Sequence, residues 1–126
     1  MLISYIGFKV MSTVHPSLSY NALIGQIIQR RRKQLSLDQS VLANGLGISQ
    51  PAYSRLESGN NVISLIQLRK IASLLKTRSF EILHEAEKLE YELQKQGVSI
   101  IAERDAGISP AAAMIGVGLL LALFAQ

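Results

Sequence analysis

Between Ser17 and Gln96 the apolar residues recur every three or four positions and nowhere alternate strictly. That period belongs to helices with one buried face, not to half-buried strands. Helix breakers and cap residues cut this stretch into short pieces. Tyr20, Leu23, Ile24, Ile27, Ile28 and Arg31 mark one face of a first helix, with Ser17 or Ser19 as its cap. A second helix follows Asp38 and carries Val41, Leu42 and Leu46; Gly45 and Gly47 end it. Ser49 caps a third helix, with Pro51 in the first turn, where a missing N–H costs nothing. That helix reaches about Glu57, and Ser58-Gly59-Asn60-Asn61 reads as a loop. Ser64 caps a fourth helix with Leu65, Leu68, Ile71, Ala72 and Leu75, and Ser79 a fifth with Glu81 in its first turn.

The second and third helices, with a turn through Gly47 between them, have the layout of a helix-turn-helix. Ala43 is small where the two would cross, and Ile48 would plug the angle between them. Val41, Leu42, Leu46, Tyr53 and Leu56 can supply a shared core; Tyr53 faces either that core or a sugar-phosphate edge. The outer face of the third helix then holds Gln50, Ala52, Ser54 and Arg55. Short polar groups, a methyl and a long cation suit a DNA major groove. An amide pairs with adenine edges, a guanidinium with guanine or phosphate, and a methyl with thymine.

This segment resembles the Xre family of helix-turn-helix domains, the group that includes phage Cro and lambda-type repressors. The likeness covers roughly Asn21 to Leu75. It rests on Leu37-Asp38-Gln39, Ala43, Leu46-Gly47-Ile48-Ser49-Gln50-Pro51, Ser54-Arg55-Leu56-Glu57-Ser58-Gly59 and the run Ile63 to Ala72. Ser40-Val41 stands where an acidic pair is usual, and Asn61-Val62 where a proline is common. The resemblance implies an all-α fold: a five-helix lambda-repressor-like domain, here with an additional apolar C-terminal helix. It implies a sequence-specific transcriptional regulator, usually a repressor, with double-stranded DNA as partner. Gln50, Ala52, Ser54 and Arg55 would read bases, and Gln39 would meet phosphate at the start of the second helix. Glu57 would tie the third helix to its surroundings.

Charge is distributed in zones. From Ser19 to Lys76 there are eight basic residues and two acidic ones, within a chain of net charge +4. Arg30, Arg31, Arg32 and Lys33 close the first helix, either as a solvated face or, beside a helix-turn-helix, as phosphate contacts. Arg69 is read the same way. From Thr77 to Asp105 there are four basic and seven acidic residues. Glu81, Glu85, Glu87, Glu90 and Glu92 point outward from a stripe of Ile82, Ala86, Leu89 and Leu93, so this helix should lie away from DNA. The stripe either covers the domain or pairs two copies into a homodimer matched to paired half-sites. His84 sits among these acids as a surface residue.

The expected division is therefore a flexible arm over 1–18, the helix-turn-helix domain over 19–76, an acidic helix and linker over 77–105, and an apolar helix over 106–126. The arm is short and has Lys9 after its apolar run, unlike a secretory signal; Met11 is an alternative start. Residues 106–126 form 21 uncharged positions. A helix over 110–126 would span roughly 25 Å at about 1.5 Å per residue, somewhat under the about 30 Å of a bilayer core. With no polar face, it reads as an anchor in the inner membrane, a buried dimerisation helix, or a segment folded back on the domain. The body of the protein is expected in the cytoplasm.

Other chemistries are excluded by what is missing. The chain has no cysteine, so disulfides, thiolate metal sites and cysteine nucleophiles do not arise. The two histidines, His15 and His84, are far apart, and no nucleophile–base pair or phosphate-cradling glycine loop is present. No cofactor and no enzyme activity are implied. The rival to a DNA-binding regulator is an adaptor, membrane-tethered or phage-derived, that keeps the fold without the DNA contacts.

Overall fold

The computed structural model describes residues 16–102, as five helices and one pair of short strands. Strand β1 (Ser17–Ser19) leads into α1 (Tyr20–Gln34), followed by α2 (Gln39–Leu46), α3 (Gln50–Ser58), α4 (Leu65–Leu74), α5 (Ser79–Lys95) and strand β2 (Ser99–Ile101). The fold is all-α in character, as its periodicity predicts. The apolar run 106–126 and the arm before Pro16 lie outside the described residues. Among the described residues no helix is long and apolar enough to cross a membrane.

The helix starts follow their cap chemistry. Ser19 caps α1, its hydroxyl accepting from the Ala22 N–H at 3.0 Å. Ser64 and Gln67 form a reciprocal capping box at α4. Asp38 holds the cap position of α2 without a side-chain bond, and Arg78, not Ser79, occupies that of α5. Gly97 ends α5 in the left-handed conformation, at φ 87°.

One core joins all five helices. Leu23, Ile27, Ile28, Leu42, Tyr53, Ile71, Ile82 and Leu93 are fully buried in it. The stripe Ile82, Ala86, Leu89, Leu93 is buried against the chain's own domain, which realises the domain-cap reading of α5. Two apolar residues assigned to the core are not in it: Val41 is 43% exposed and Leu65 83%. Leu42 with Ala43, and Leu68 with Ile71 and Ala72, carry the burial of α2 and α4 instead.

The strands are the element that helix periodicity does not reveal. Ser17, Leu18 and Ser19 pair in parallel with Ser99, Ile100 and Ile101. Leu18 and Val98 are buried beside this ribbon, and the Ser99 N–H donates to the Pro16 carbonyl at 2.9 Å. Residues 16–18 thus belong to the folded body and not to a flexible arm.

Candidate nucleic-acid interface

The angle between α2 and α3 is set by Gly47, which adopts φ 70°, a left-handed conformation that a Cβ disfavours. Past it the Ile48 N–H donates to the Ala43 carbonyl at 3.0 Å, and half-buried Ile48 packs against the core. Ser49 then caps α3, its hydroxyl accepting from the Ala52 N–H at 3.2 Å. Pro51 sits in the first turn, as expected.

The inner face of α3 is Tyr53, Leu56 and Glu57. It comes close enough to α1 that a Cβ on Gly25 would lie 2.1 Å from the Glu57 carbonyl oxygen. Gly59 ends the helix at φ 81°, against the backbone of Ala22. The two helices therefore meet backbone to backbone, and α3 has little freedom to tilt.

Glu57 is the hub of this contact although it is a buried carboxylate, 3% exposed. It accepts from Arg32 Nε at 2.6 Å and Arg32 Nη2 at 3.1 Å, a two-point ion pair. It also accepts from the Tyr53 hydroxyl at 2.7 Å and from Gln39 Nε2 at 2.9 Å. Arg32 donates a further bond to the Leu37 carbonyl at 2.8 Å. The hydrogen bond to Glu57 raises the Arg32 guanidinium above its ordinary value, so it stays cationic while buried. Burial, and then the bond to Glu57, push the Tyr53 phenol well above its ordinary 10.0.

The network reaches the surface. Gln50 Nε2 donates to Gln39 Oε1 at 2.7 Å, while Gln39 Nε2 donates inward to Glu57. Because Glu57 accepts only, the Gln39 amide must turn its nitrogen inward and its oxygen to Gln50. The second N–H of Gln50 and its carbonyl oxygen are then left facing out. A donor and an acceptor side by side are what an adenine edge requires.

The residues singled out from the sequence fall into three groups. Gln50 and Arg55 are exposed on the outer face of α3, with Ala52 and Ser54 half-buried beside them and Gln39 half-buried at the start of α2. Lys33 and Arg69 are exposed. The remaining arginines of α1 correct the expectation. Arg32 is buried on Glu57 and cannot meet a phosphate. Arg30 and Arg31 are half-buried and both pair with Glu85 of α5. Burial, and then the like charge of Arg31, lower the Arg30 guanidinium to about 10, still far above neutrality. Glu85, expected to point outward, is thus an inward partner holding α5 to α1. The tyrosine resolves to the core, at 0% exposure. Glu57 ties α3 to its surroundings as the resemblance implies, and what sequence reasoning missed is its partners, Arg32, Tyr53 and Gln39. The one local signal of these contacts is the four-residue spacing of Tyr53 and Glu57, which puts both on one face of a helix.

Residues 28–83 match a family described as Helix-turn-helix. A curated protein of Rhodospirillum rubrum, named "Uncharacterized transcriptional regulator in ATPase CF(0) region", is 40% identical over 55 residues, covering 44% of this chain and 51% of the relative. The chain thus spans about half the length of that relative. No solved structure gives a significant match.

Proposed function

We propose, on the premise that residues 28–83 are a helix-turn-helix domain of the Xre type, that this protein is a DNA-binding transcriptional regulator. In this reading α3 enters the major groove. Gln50, Ala52, Ser54 and Arg55 read base edges, while Gln39, Lys33 and Arg69 meet the phosphate backbone. The observation that carries it is the exposed Gln50 amide, oriented through Gln39 by a carboxylate buried in the core. A side chain held this way enters the groove with its rotamer already chosen, so binding loses less entropy. An adenine is expected opposite Gln50. Bound at a promoter, the protein would exclude polymerase, so the regulation is expected to be repression. No catalytic role is proposed.

Paired half-sites call for two copies on the operator. A regulator of this kind works in the cytoplasm, and the uncharged run 106–126 would anchor it to the inner membrane. Fractionating cells that express the whole chain, or the chain without 106–126, tests the anchor: deletion should move the protein to the soluble fraction.

The central experiment is selection of bound sites from random duplexes, followed by footprinting of Gln50→Ala and Arg55→Ala. Both variants should lose operator preference with helical content unchanged, since both side chains are exposed. Affinity should fall steeply with salt as counterions return to the phosphates. Unaltered footprints in both variants would refute the groove assignment.

A further inference from the structure

We propose that the cleft between the end of α4 and the start of α5 binds a small phosphate-bearing ligand. The cleft encloses about 400 Å³, within the range of small-molecule sites. It lies between two helices, with one cation on α4 and one at the cap position of α5. Arg69 and Ser73 stand four residues apart on α4, on one face of that helix. Thr77 and Arg78 come from the connection, and Ser79 and Phe80 from α5.

The connection is firmly shaped. Lys76 adopts φ 58°, rare for a residue with a side chain, and the Thr77 N–H donates back to the Ala72 carbonyl at 2.9 Å. This turn places Arg78 in the lining of the same cleft as Arg69. The Arg78 guanidinium lies 5.2 Å from the centre of the Phe80 ring, a contact that restrains a long side chain.

Charge bookkeeping favours an anion. Arg30, Arg31 and Arg32 are matched by Glu85 and Glu57, but neither Arg69 nor Arg78 forms an ion pair among the described residues. The nearby carboxylate is Glu81, which accepts a hydrogen bond from the Thr77 hydroxyl. Two guanidiniums in the lining against one nearby carboxylate leave the cleft net positive, with serine hydroxyls on its wall. A tetrahedral oxyanion suits that set, because each guanidinium offers paired N–H groups and the Ser73 and Ser79 hydroxyls one each, while the Thr77 proton is already given to Glu81. The volume exceeds that of a bare phosphate group, so the ligand carries a compact organic body. The cleft's concavity favours a free phosphoester over the backbone of a duplex. The cleft shares Arg69 with the proposed phosphate contacts but includes no residue of the outer face of α3, so Gln50→Ala separates the two readings.

The test is calorimetric titration of the full chain with inorganic phosphate and with glycerol phosphate, against chloride at matched ionic strength. Saturable binding, tighter for the phosphoester, is expected. Arg69→Gln and Arg78→Gln should each weaken it about tenfold or more, the loss of a charged hydrogen bond. Both residues are exposed, so circular dichroism should show the fold intact, and Lys88→Gln on the exposed side of α5 should bind as the parent does. Gln50→Ala should keep phosphoester binding, whatever happens to DNA. A short duplex forms the second arm. If the two arginine variants lose duplex affinity while free phosphate gives no saturable heat, the occupant is the DNA backbone and the free-ligand site is overturned. It is overturned equally if neither probe saturates, or if both variants bind like the parent.

Discussion

Replacing Glu57 by glutamine isolates the charge at the centre of the α1–α3 contact while keeping its shape. The carboxylate accepts four hydrogen bonds, from Arg32 twice, Tyr53 and Gln39. A glutamine offers one oxygen and one NH2 group. Whichever way it turns, the NH2 faces a donor of Arg32, together with either Gln39 Nε2 or the Tyr53 hydroxyl, and while the hydroxyl can rotate and the Gln39 amide can flip to accept, the guanidinium cannot. At least one bond to a charged group is lost, at about 1.5–3 kcal/mol. The Arg32 guanidinium is left buried without a counter-charge, and breaking such a pair typically costs about 3–5 kcal/mol in all. We take about 3 kcal/mol, because part of the bonding survives. That is a large share of the roughly 5–15 kcal/mol that stabilises a domain, and it should lower Tm by about 12–24 °C at this size. Urea unfolding followed by far-ultraviolet circular dichroism measures it. The double variant Arg32→Met, Glu57→Leu should recover much of the loss, since it removes both charges. A Glu57→Gln protein within about 1 kcal/mol of the parent would refute the claim that a buried ion pair organises the contact.

Two further outcomes follow from the turn glycines and the buried phenol. Gly47 and Gly59 both have positive φ, but a Cβ meets nothing at Gly47 and lies 2.6 Å from Ala22 atoms at Gly59. Gly47→Ala should therefore cost about 1–2 kcal/mol from conformation alone, and Gly59→Ala distinctly more; equal thermal melts would contradict this. Because folding raises the Tyr53 pKa, its stabilising effect is complete below the ordinary value of 10.0 and is lost as pH rises beyond it. Tyr53→Phe should be less stable at neutral pH by about 1 kcal/mol and lose less on going to alkaline pH; parallel pH profiles would count against the reading.

Much of the helix-turn-helix is legible in the sequence because its signals are local. Ser49 with Pro51, Gly47 and the Ser64 cap act within a few residues, and the α5 stripe Ile82, Ala86, Leu89, Leu93 repeats over about three turns. What escapes is whatever depends on a distant partner. Four consecutive cations at the end of α1 are spread around the helix about 100° apart, so at least one must face inward. Only the position of Glu57 on α3, and of Glu85 on α5, decides which of Arg30, Arg31 and Arg32 turns in. Val41 and Leu65 have the right period and still face out, since periodicity shows a stripe but not whether a neighbour covers all of it. A three-residue strand is too short to display alternation, so Ser17–Ser19 leaves no trace in the pattern, while the run Val98 to Ala102 past Gly97 reads equally as more helix or a short strand until its pairing with β1 decides.

That ribbon has a consequence for how the protein comes into being. Its two halves are adjacent in the fold but lie at opposite ends of the described sequence, so the last bonds to close wait until the ribosome has released β2, after all five helices have left the exit tunnel. The helices can assemble first, and the ribbon is then the last seam to shut and the first to fray. Amide protons of Ser99 to Ile101 should accordingly exchange well before those of Ile27 or Leu42, and a nascent chain halted ahead of β2 should already hold α3 in place while α1 still lacks its fastened lead-in.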